Sequence, residues 1–418
     1  MEIKEIYNLY SKNYLVDTDT RNIRNNTLFF ALKGDNFNGN KFTKEALEKG
    51  AAYVIIDDDK YKINNRTILV NDVLQTLQKL ASFHRQQLNI PIIALTGSNG
   101  KTTTKELINC VLSEKYKTTA TIGNLNNHIG VPLTLLSMTP ETEIGIVEMG
   151  ANHKKEIEFL CDIAKPDFGY ITNFGKAHLE GFGGIEGVII GKSELYTYLK
   201  KNNKIAFINP KDSIQIEKTK SIETISFSQA VKFKEANPFV KLNIDTQEVT
   251  SNLIGEYNYA NIVAAITIGN YFEIEGNKIN KAIEGYVPTN NRSQIIKKEN
   301  NHIILDAYNA NPSSMKVALE NFSKIEEKNK TVILGDMFEL GEDSLREHQV
   351  ITDLADSFSF SNTLFVGENF FKSTTKNEQF KTFEDLKEYI IKKPLENQSI
   401  LIKGSRGMKL ERILDFIN

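Results

Sequence analysis

The stretch Ile92-Ile93-Ala94-Leu95-Thr96-Gly97-Ser98-Asn99-Gly100-Lys101-Thr102-Thr103-Thr104-Lys105-Glu106 decides the fold. The apolar run after Pro91 reads as a buried strand. It breaks into a glycine-containing turn that leads into a helix-compatible segment, Lys105 to Ser113. Strand, turn and helix in that order make a phosphate-binding loop. Backbone N–H groups freed around Gly97 and Gly100 can wrap a polyphosphate, the helix N-terminus adds partial positive charge, and Lys101 can reach the β- and γ-phosphates. Thr102 is then placed to offer a hydroxyl to Mg²⁺. Leu95 stands where the longer G-x-x-x-x-G-K-[ST] pattern has its first glycine, so the loop is the short form G-x-x-G-K-T.

The rest of the chain sets the scale. Its 418 residues suffice for two to three domains, each with its own core. Hydrophobic residues make up 40% and charged residues 25%, the balance of a soluble globular chain. A net charge of −2 without a long basic run argues against a nucleic-acid partner and for a small substrate. The two cysteines, Cys110 and Cys161, each fall in an apolar helical pattern, which points to inert packing in a reducing compartment. The first residues lack an apolar core of signal-peptide length, and no segment approaches the roughly twenty apolar residues of a membrane span. A cytoplasmic monomer is the expectation.

Upstream of the loop, residues 1–86 read as a small α/β unit with strands over 27–32 and 52–56, a turn-rich loop over 33–40, and a helix from Phe42 to Lys49. Thr18-Asp19-Thr20-Arg21 offers an anion-binding arginine with hydroxyls, although most such arginines are solvated surface charges. A helix over 72–90 leads into the phosphate-loop strand. Downstream, strands over 143–150 and 167–174 end at Glu148 and just before Gly175-Lys176-Ala177-His178, with a helix over 155–164 between them. In an open parallel sheet ligands bind along the carboxyl ends of the strands, so Glu148 and His178 should face the same edge as Lys101.

A helix over 185–199 carries Lys192, and residues 203–254 read as short alternating strands. A long apolar helix then begins near Gly255-Glu256-Tyr257-Asn258-Tyr259-Ala260-Asn261. Asn258 and Asn261 are three apart and share one helical face, where they can cap the helix or read a purine edge. The segment 288–418 repeats the strand and helix alternation, with Asp306-Ala307-Tyr308-Asn309-Ala310-Asn311-Pro312 after its first strand and Gly404-Ser405-Arg406-Gly407 after its last. It reads as a second doubly wound unit.

In their order and spacing these stretches resemble the Mur ligases of peptidoglycan synthesis over the whole chain. The resemblance rests on Thr96 to Thr103, Gly123-Asn124-Leu125-Asn126-Asn127-His128-Ile129-Gly130-Val131-Pro132, Glu148-Met149-Gly150, and Ile171-Thr172-Asn173 with His178 and Lys192. It continues through Asn258 with Asn261, Arg292, Asp306 to Pro312, Gly335-Asp336-Met337 with Glu339-Leu340-Gly341, and Lys403-Gly404-Ser405-Arg406. The short phosphate loop is the form this family uses. One departure is Asn291, where the family has glycine.

The resemblance implies three α/β domains: a small N-terminal domain (1–86) for the UDP-sugar, a central phosphate-loop, parallel-sheet domain (87–287) for ATP, and a C-terminal Rossmann-like, doubly wound domain (288–418). The last would meet the incoming amine and close on ATP. The implied reaction joins a carboxylate to an amine through an acyl phosphate, giving ADP and phosphate. The C-terminal motifs are similar to the member that adds D-alanyl-D-alanine to UDP-N-acetylmuramoyl-tripeptide, and the Asp-Asn-Pro-Arg signature of the ligase adding the third residue is missing.

The implied roles follow the motifs. Thr96, Gly97, Ser98, Asn99, Gly100, Lys101, Thr102 and Thr103 would hold the phosphates, Asn258 and Asn261 would lie near adenine, Asp306 would hold the ribose, and Arg292 would meet the γ-phosphate. Thr102 and Glu148 would bind one Mg²⁺, and His178 and Lys192 a second, with Lys192 carbamylated by CO₂ to become an oxygen ligand. Lys101, Glu148, His178, Lys192 and Arg292 are thus the catalytic set. Thr20 and Arg21 in the first domain, Asn126 and Asn127 in the central one, and Tyr308, Asn309, Asn311, Lys403, Ser405 and Arg406 in the last would contact the substrates. The alternatives are a sister Mur ligase or a ligase like folylpolyglutamate synthetase, which share the ATP core, and more remotely an ATP-binding regulatory module.

Overall fold

The computed structural model describes residues 1–289 and 291–417; Asn290 and Asn418 lie outside the described residues. Three main sheets follow one another along the chain. The first is parallel, in spatial order Val16–Asp17, Leu28–Phe30, Tyr53–Ile56, Thr67–Leu69. The expected turn-rich loop after Leu32 is a two-residue hairpin, Lys33–Gly34 against Phe37–Asn38, followed by a 3-10 turn. The helix Val73–Gln87, capped by the Asp72 side chain, runs from this sheet to the next.

The second sheet has six parallel strands in the order Glu223–Ser226, Ile205–Ile208, Phe168–Ile171, Ile92–Thr96, Ile144–Glu148, Thr118–Ala120. Its central strands are apolar up to their last residue because helices cover both faces, leaving no solvent side that would call for alternation. The chain leaves Ile92–Thr96 for the Thr118 edge and later returns on the other side at Phe168–Ile171. That reversal opens a crevice at the carboxyl end of Ile92–Thr96, where the phosphate loop sits.

Two expectations fail here. The helix after the loop spans Lys101–Leu112, beginning four residues before the expected Lys105, because Gly100 at φ 79° ends the turn and lets the first helical turn form at once. Residues 203–254 are not one set of alternating strands. Ile205–Ile208 and Glu223–Ser226 extend the parallel sheet, with the helix Ser213–Lys218 between them. Only Val231–Ala236, Phe239–Ile244 and Gln247–Ile254 form a separate antiparallel sheet. Asp212 accepts backbone N–H bonds from Ile214 and Gln215, a capping signal that the sequence reading passed over. The helix Asn258–Tyr271 is apolar nearly all round because it is buried between helix Lys101–Leu112 and this sheet.

The third sheet runs Gln294–Lys298, Asn301–Asp306, Ser399–Lys403, Lys330–Gly335, Asn362–Val366, Glu378–Phe380, parallel except for its first pair. Asn291 adopts φ 55°, a conformation that asparagine tolerates better than most residues with a Cβ. Cys110 and Cys161 are free, as their apolar setting implied. No helix among the described residues is long and apolar enough to cross a membrane.

The underside of the central sheet is pinned by Arg85. Its guanidinium donates to the carbonyls of Leu88, Ala164 and Lys165 and to the Asp167 carboxylate, at 2.7–3.0 Å. Truncation strands several buried acceptors at once. Arg85→Ala is expected to cost about 2–4 kcal/mol, read as a lower urea midpoint by far-ultraviolet circular dichroism.

Candidate active site

The phosphate loop is shaped from below by the neighbouring strand. Gly97 adopts φ 143°, and a Cβ there would come within 2.0 Å of Thr172 Oγ1. Thr172 Oγ1 donates to the Asn99 carbonyl at 2.6 Å, Asn173 Nδ2 donates to the same oxygen at 2.9 Å, and the Asn99 N–H donates to Asn173 Oδ1 at 3.1 Å. The Lys101 ammonium curls over the loop to the carbonyls of Gly97 (2.7 Å) and Ser98 (3.3 Å). Burial holds it below the ordinary lysine value, Glu148 opposes that shift, and Arg292 adds to it. Thr102 and Thr103 follow in the first helical turn, whose N–H groups have no partner within the helix. Thr96 ends the buried strand beneath them.

Glu148 is buried at the end of the adjacent strand. Its Oε2 accepts from Thr102 Oγ1 at 2.8 Å and its Oε1 from Asn126 Nδ2 at 2.7 Å. A hydroxyl and a carboxylate meeting at a helix N-terminus are hard oxygen donors of the kind Mg²⁺ takes. Asn127 instead accepts from the N–H groups of Ile129 and Gly130 and so fixes the start of the next helix. His178 sits at φ 52° with its Nδ1 against the Glu339 carboxylate, a contact that draws Glu339 below the usual carboxylate range despite burial.

The remaining groups arrive from the third sheet. Arg292 stacks on Tyr308, its guanidinium carbon 3.7 Å from the ring centre, while its Nε is buried without a partner. Arg406 approaches the same ring at 5.2 Å, and its Nη1 donates to the Tyr308 hydroxyl at 3.3 Å. Asp306 accepts from Lys403 Nζ at 2.5 Å and from the Ser293 N–H at 3.2 Å. Asn311 caps the helix Pro312–Lys324 through its oxygen and donates to Asn99 Oδ1 at 2.8 Å, a direct link between the third sheet and the phosphate loop.

These elements enclose one cleft of about 830 Å³. Of the residues singled out in the sequence, its wall includes Ser98, Asn99, Gly100, Lys101, Thr102, Thr103, Asn126, Asn127, Glu148, His178, Asn258, Asn261, Arg292, Asp306, Tyr308, Asn309 and Lys403. Asn258 and Asn261 do share a face there, Asn261 Nδ2 donating to Asn258 Oδ1 and Asn261 Oδ1 accepting from Thr104.

Other singled-out residues lie off the wall. Lys192 is buried behind it, donating to the Ala151 carbonyl at 2.9 Å and lying 5.0 Å from the centre of the Phe182 ring. Desolvation and the nearby Lys101 charge hold its pKa well below the usual value, against the pull of Glu156 and Glu194. Ser405 is buried, accepting from the Phe338 N–H. Thr20 and the exposed Arg21 stand in the first unit, away from the cleft, with Arg21 paired to Asp19 at 2.6 Å. Among the described residues no group of three His, Cys, Asp or Glu side chains is gathered as a metal cage, so any metal here relies on the mixed donor set around Glu148. Wall residues not singled out in the sequence include Asp212, Leu253, Tyr257 and Ser293; Asp212 carried a capping signal, and Tyr257 fell inside the Gly255 to Asn261 run.

A phosphate loop at a parallel-sheet switch point, faced by a carboxylate and overhung by an arginine just before the following sheet, is the geometry of a nucleotide-phosphate site. Residues 13–85, 95–269 and 291–406 match, respectively, the Mur ligase family catalytic domain, the Mur ligase middle domain and the Mur ligase glutamate ligase domain. The chain belongs to the Mur ligase family. It is 36% identical to the UDP-N-acetylmuramoyl-tripeptide–D-alanyl-D-alanine ligase of Bacillus subtilis, across 96% of this chain and 92% of that one. MurF from Acinetobacter baumannii superimposes with a TM-score of 0.85 at 30% identity, covering 96% of this chain and 92% of its own. The MurF ligase of Thermotoga maritima, solved in complex with ADP, gives 0.82 at 26% identity and 96% coverage of both chains.

The close approach at Gly97 supplies a test. Gly97→Ala adds roughly 1–3 kcal/mol of local strain and is expected to push the loop off Thr172. Amide exchange at Ser98 and Asn99, which donate to Asn173, should then accelerate at least about tenfold while the core strands keep their protection.

Proposed function

We propose that this chain joins the free carboxylate of UDP-N-acetylmuramoyl-tripeptide to the amine of D-alanyl-D-alanine, converting ATP to ADP and phosphate, in the cytoplasmic stage of peptidoglycan synthesis. The observation that carries the reading is that Lys101, Thr102 and Glu148 share one cleft with Arg292, Asp306 and Lys403 from the following sheet. Such an arrangement surrounds a nucleotide triphosphate on two sides.

A carboxylate does not acylate an amine at neutral pH, so it first attacks the γ-phosphorus, forming an O–P bond as the bond to ADP breaks. The amine then attacks the acyl carbon, phosphate leaves, and the ammonium proton is lost to solvent. The protein positions and neutralises charge. The Lys101 ammonium exchanges its loop carbonyls for the β- and γ-phosphates, and the free N–H groups of the first helical turn point at the same anions. Arg292, stacked on Tyr308, presents its unpartnered Nε to the γ-phosphate. Asp306, held by Lys403, takes the ribose hydroxyls.

Thr102 and Glu148 would hold Mg²⁺, which would supply positive charge against the phosphate oxygens of the nucleotide. His178 would serve a second ion. Lys192 joins it only as a carbamate, in which Nζ bonds to the carbon of CO₂ and releases a proton. Its depressed pKa favours the neutral amine that this addition requires, and the remaining N–H still reaches the Ala151 carbonyl. The first domain (1–86), with Thr20 and Arg21, takes the UDP end, residues 87–287 take ATP, and residues 288–418 bring Tyr308, Asn309, Asn311, Ser405 and Arg406 towards the dipeptide. The enzyme acts as a monomer.

Phosphate release with ATP, Mg²⁺ and the tripeptide nucleotide should depend on D-alanyl-D-alanine, with a pentapeptide product by mass. Turnover with a single amino acid in place of the dipeptide would overturn the assignment. Removing CO₂ should lower the rate and bicarbonate restore it, whereas Lys192→Ala should lose on the order of 100-fold in kcat or more with no response to bicarbonate.

A further inference from the structure

Gly335-Asp336-Met337 and Glu339-Leu340-Gly341 take no part in the reaction as derived above. The loop they form after Lys330–Gly335 is firmly held. The Asp336 carboxylate accepts from the N–H groups of Asn369 and Phe370, each at 2.9 Å. The Met337 N–H donates to His348 Nε2 and the Phe338 N–H to Ser405 Oγ, both at 3.0 Å. This braced loop nevertheless carries Glu339 at φ 62°, a conformation that residues with a Cβ rarely adopt. Its carboxylate crosses from the third sheet to lie against Nδ1 of His178, itself at φ 52°. Two residues in left-handed backbone thus meet across the boundary between sheets, and strain of that kind persists only where the surroundings impose it.

The segment that bears His178 is a seat for the third sheet. The Glu180 N–H donates to the Glu339 carbonyl at 3.4 Å. Gly341, at φ 55°, comes so close that a Cβ there would stand 3.2 Å from Glu180 Cβ. Earlier in the segment the Lys176 N–H donates to Ser313 Oγ at 2.8 Å, and the Lys176 ammonium pairs with the buried Glu347 at 2.7 Å.

We propose that Glu339 is a positioning residue that acts through His178: it holds the imidazole from across the domain boundary, so the ring is set in the cleft only when the third sheet is seated on the central one. The proposal rests on the ligase reading above and adds to it a device that ties the chemical step to domain seating. Glu339 itself touches no substrate. Its carboxylate stands against one ring nitrogen of a side chain that lines the cleft.

The test is a double-mutant cycle with a spectroscopic arm. Glu339→Ala should lower kcat on the order of 100-fold, the scale of a misplaced catalytic group, with the KM for ATP and the Tm unchanged. Glu339→Gln, which keeps shape and an acceptor oxygen, should recover most of the loss and guards against a folding artefact. In single-turnover ADP formation, Glu339→Ala should cost nothing further when added to His178→Ala. Side-chain NMR of the ligand-free protein, which has six histidines, should show the His178 ring nitrogens shifted in Glu339→Ala and the other rings unmoved. Wild-type kcat in Glu339→Ala, a fully multiplied loss in the double variant, or unmoved His178 signals overturns the proposal. A wild-type chain that makes no dipeptide-dependent product overturns the ligase reading instead, and the imidazole signals still decide the role of Glu339.

Discussion

The register of three parallel strands is the constraint on which the rest depends. Leu95 lies beside Glu148 on one side and Tyr170 on the other, so the ends of strands Ile92–Thr96, Ile144–Glu148 and Phe168–Ile171 arrive at one level. The turn after Thr96 can then rest on Thr172 and Asn173, and the first helical turn brings the Thr102 hydroxyl onto the Glu148 carboxylate. A slip of one residue of Ile144–Glu148 against Ile92–Thr96 would turn Glu148 into the opposite face of the sheet and leave a buried charge without a donor.

Charge is the second theme of the cleft. Lys101, Arg292 and Lys403 line it, and Lys192 is buried just behind its wall, while Glu148 and Asp306 are each already engaged by protein donors. Burial holds Lys101 and Lys192 below their ordinary values, and repulsion from a neighbouring cation, Arg292 for Lys101 and Lys101 for Lys192, adds to it against the pull of nearby carboxylates. A polyanion relieves that repulsion, and the field of the site is therefore built before the ligand arrives. The orphaned Nε of Arg292 is the local sign of the same arrangement: its stacking on Tyr308 fixes the guanidinium plane without using its donors.

Much of this was legible in the chain. The loop Thr96 to Thr103, the carboxylate at the end of a following strand, and the paired asparagines at a helix start are local patterns, and each appears in the structure where strand and helix periodicity put it. The failures share a physical cause. The helix start at Lys101 depended on Gly100 taking a left-handed conformation, at a place where a Cβ would stand 2.8 Å from Asn261 Oδ1 on a helix far along the chain. Residues 203–254 divide between two sheets because some pair with the parallel core and others only with each other, a distinction made by distant partners.

By itself the sequence determined the fold class, the phosphate loop and the kind of chemistry, because these rest on short-range periodicity, turn residues and the side chains available at strand ends. Only the tertiary structure decided which groups share a cleft. Arg292 and Asp306 lie about two hundred residues beyond Lys101, Lys192 is set behind a wall by the carbonyl of Ala151, and Asn311 spends its amide on a cap and on Asn99. Contacts between residues so far apart depend on how three sheets seat against one another, and that seating is the sum of many weak contacts that no local stretch of sequence encodes.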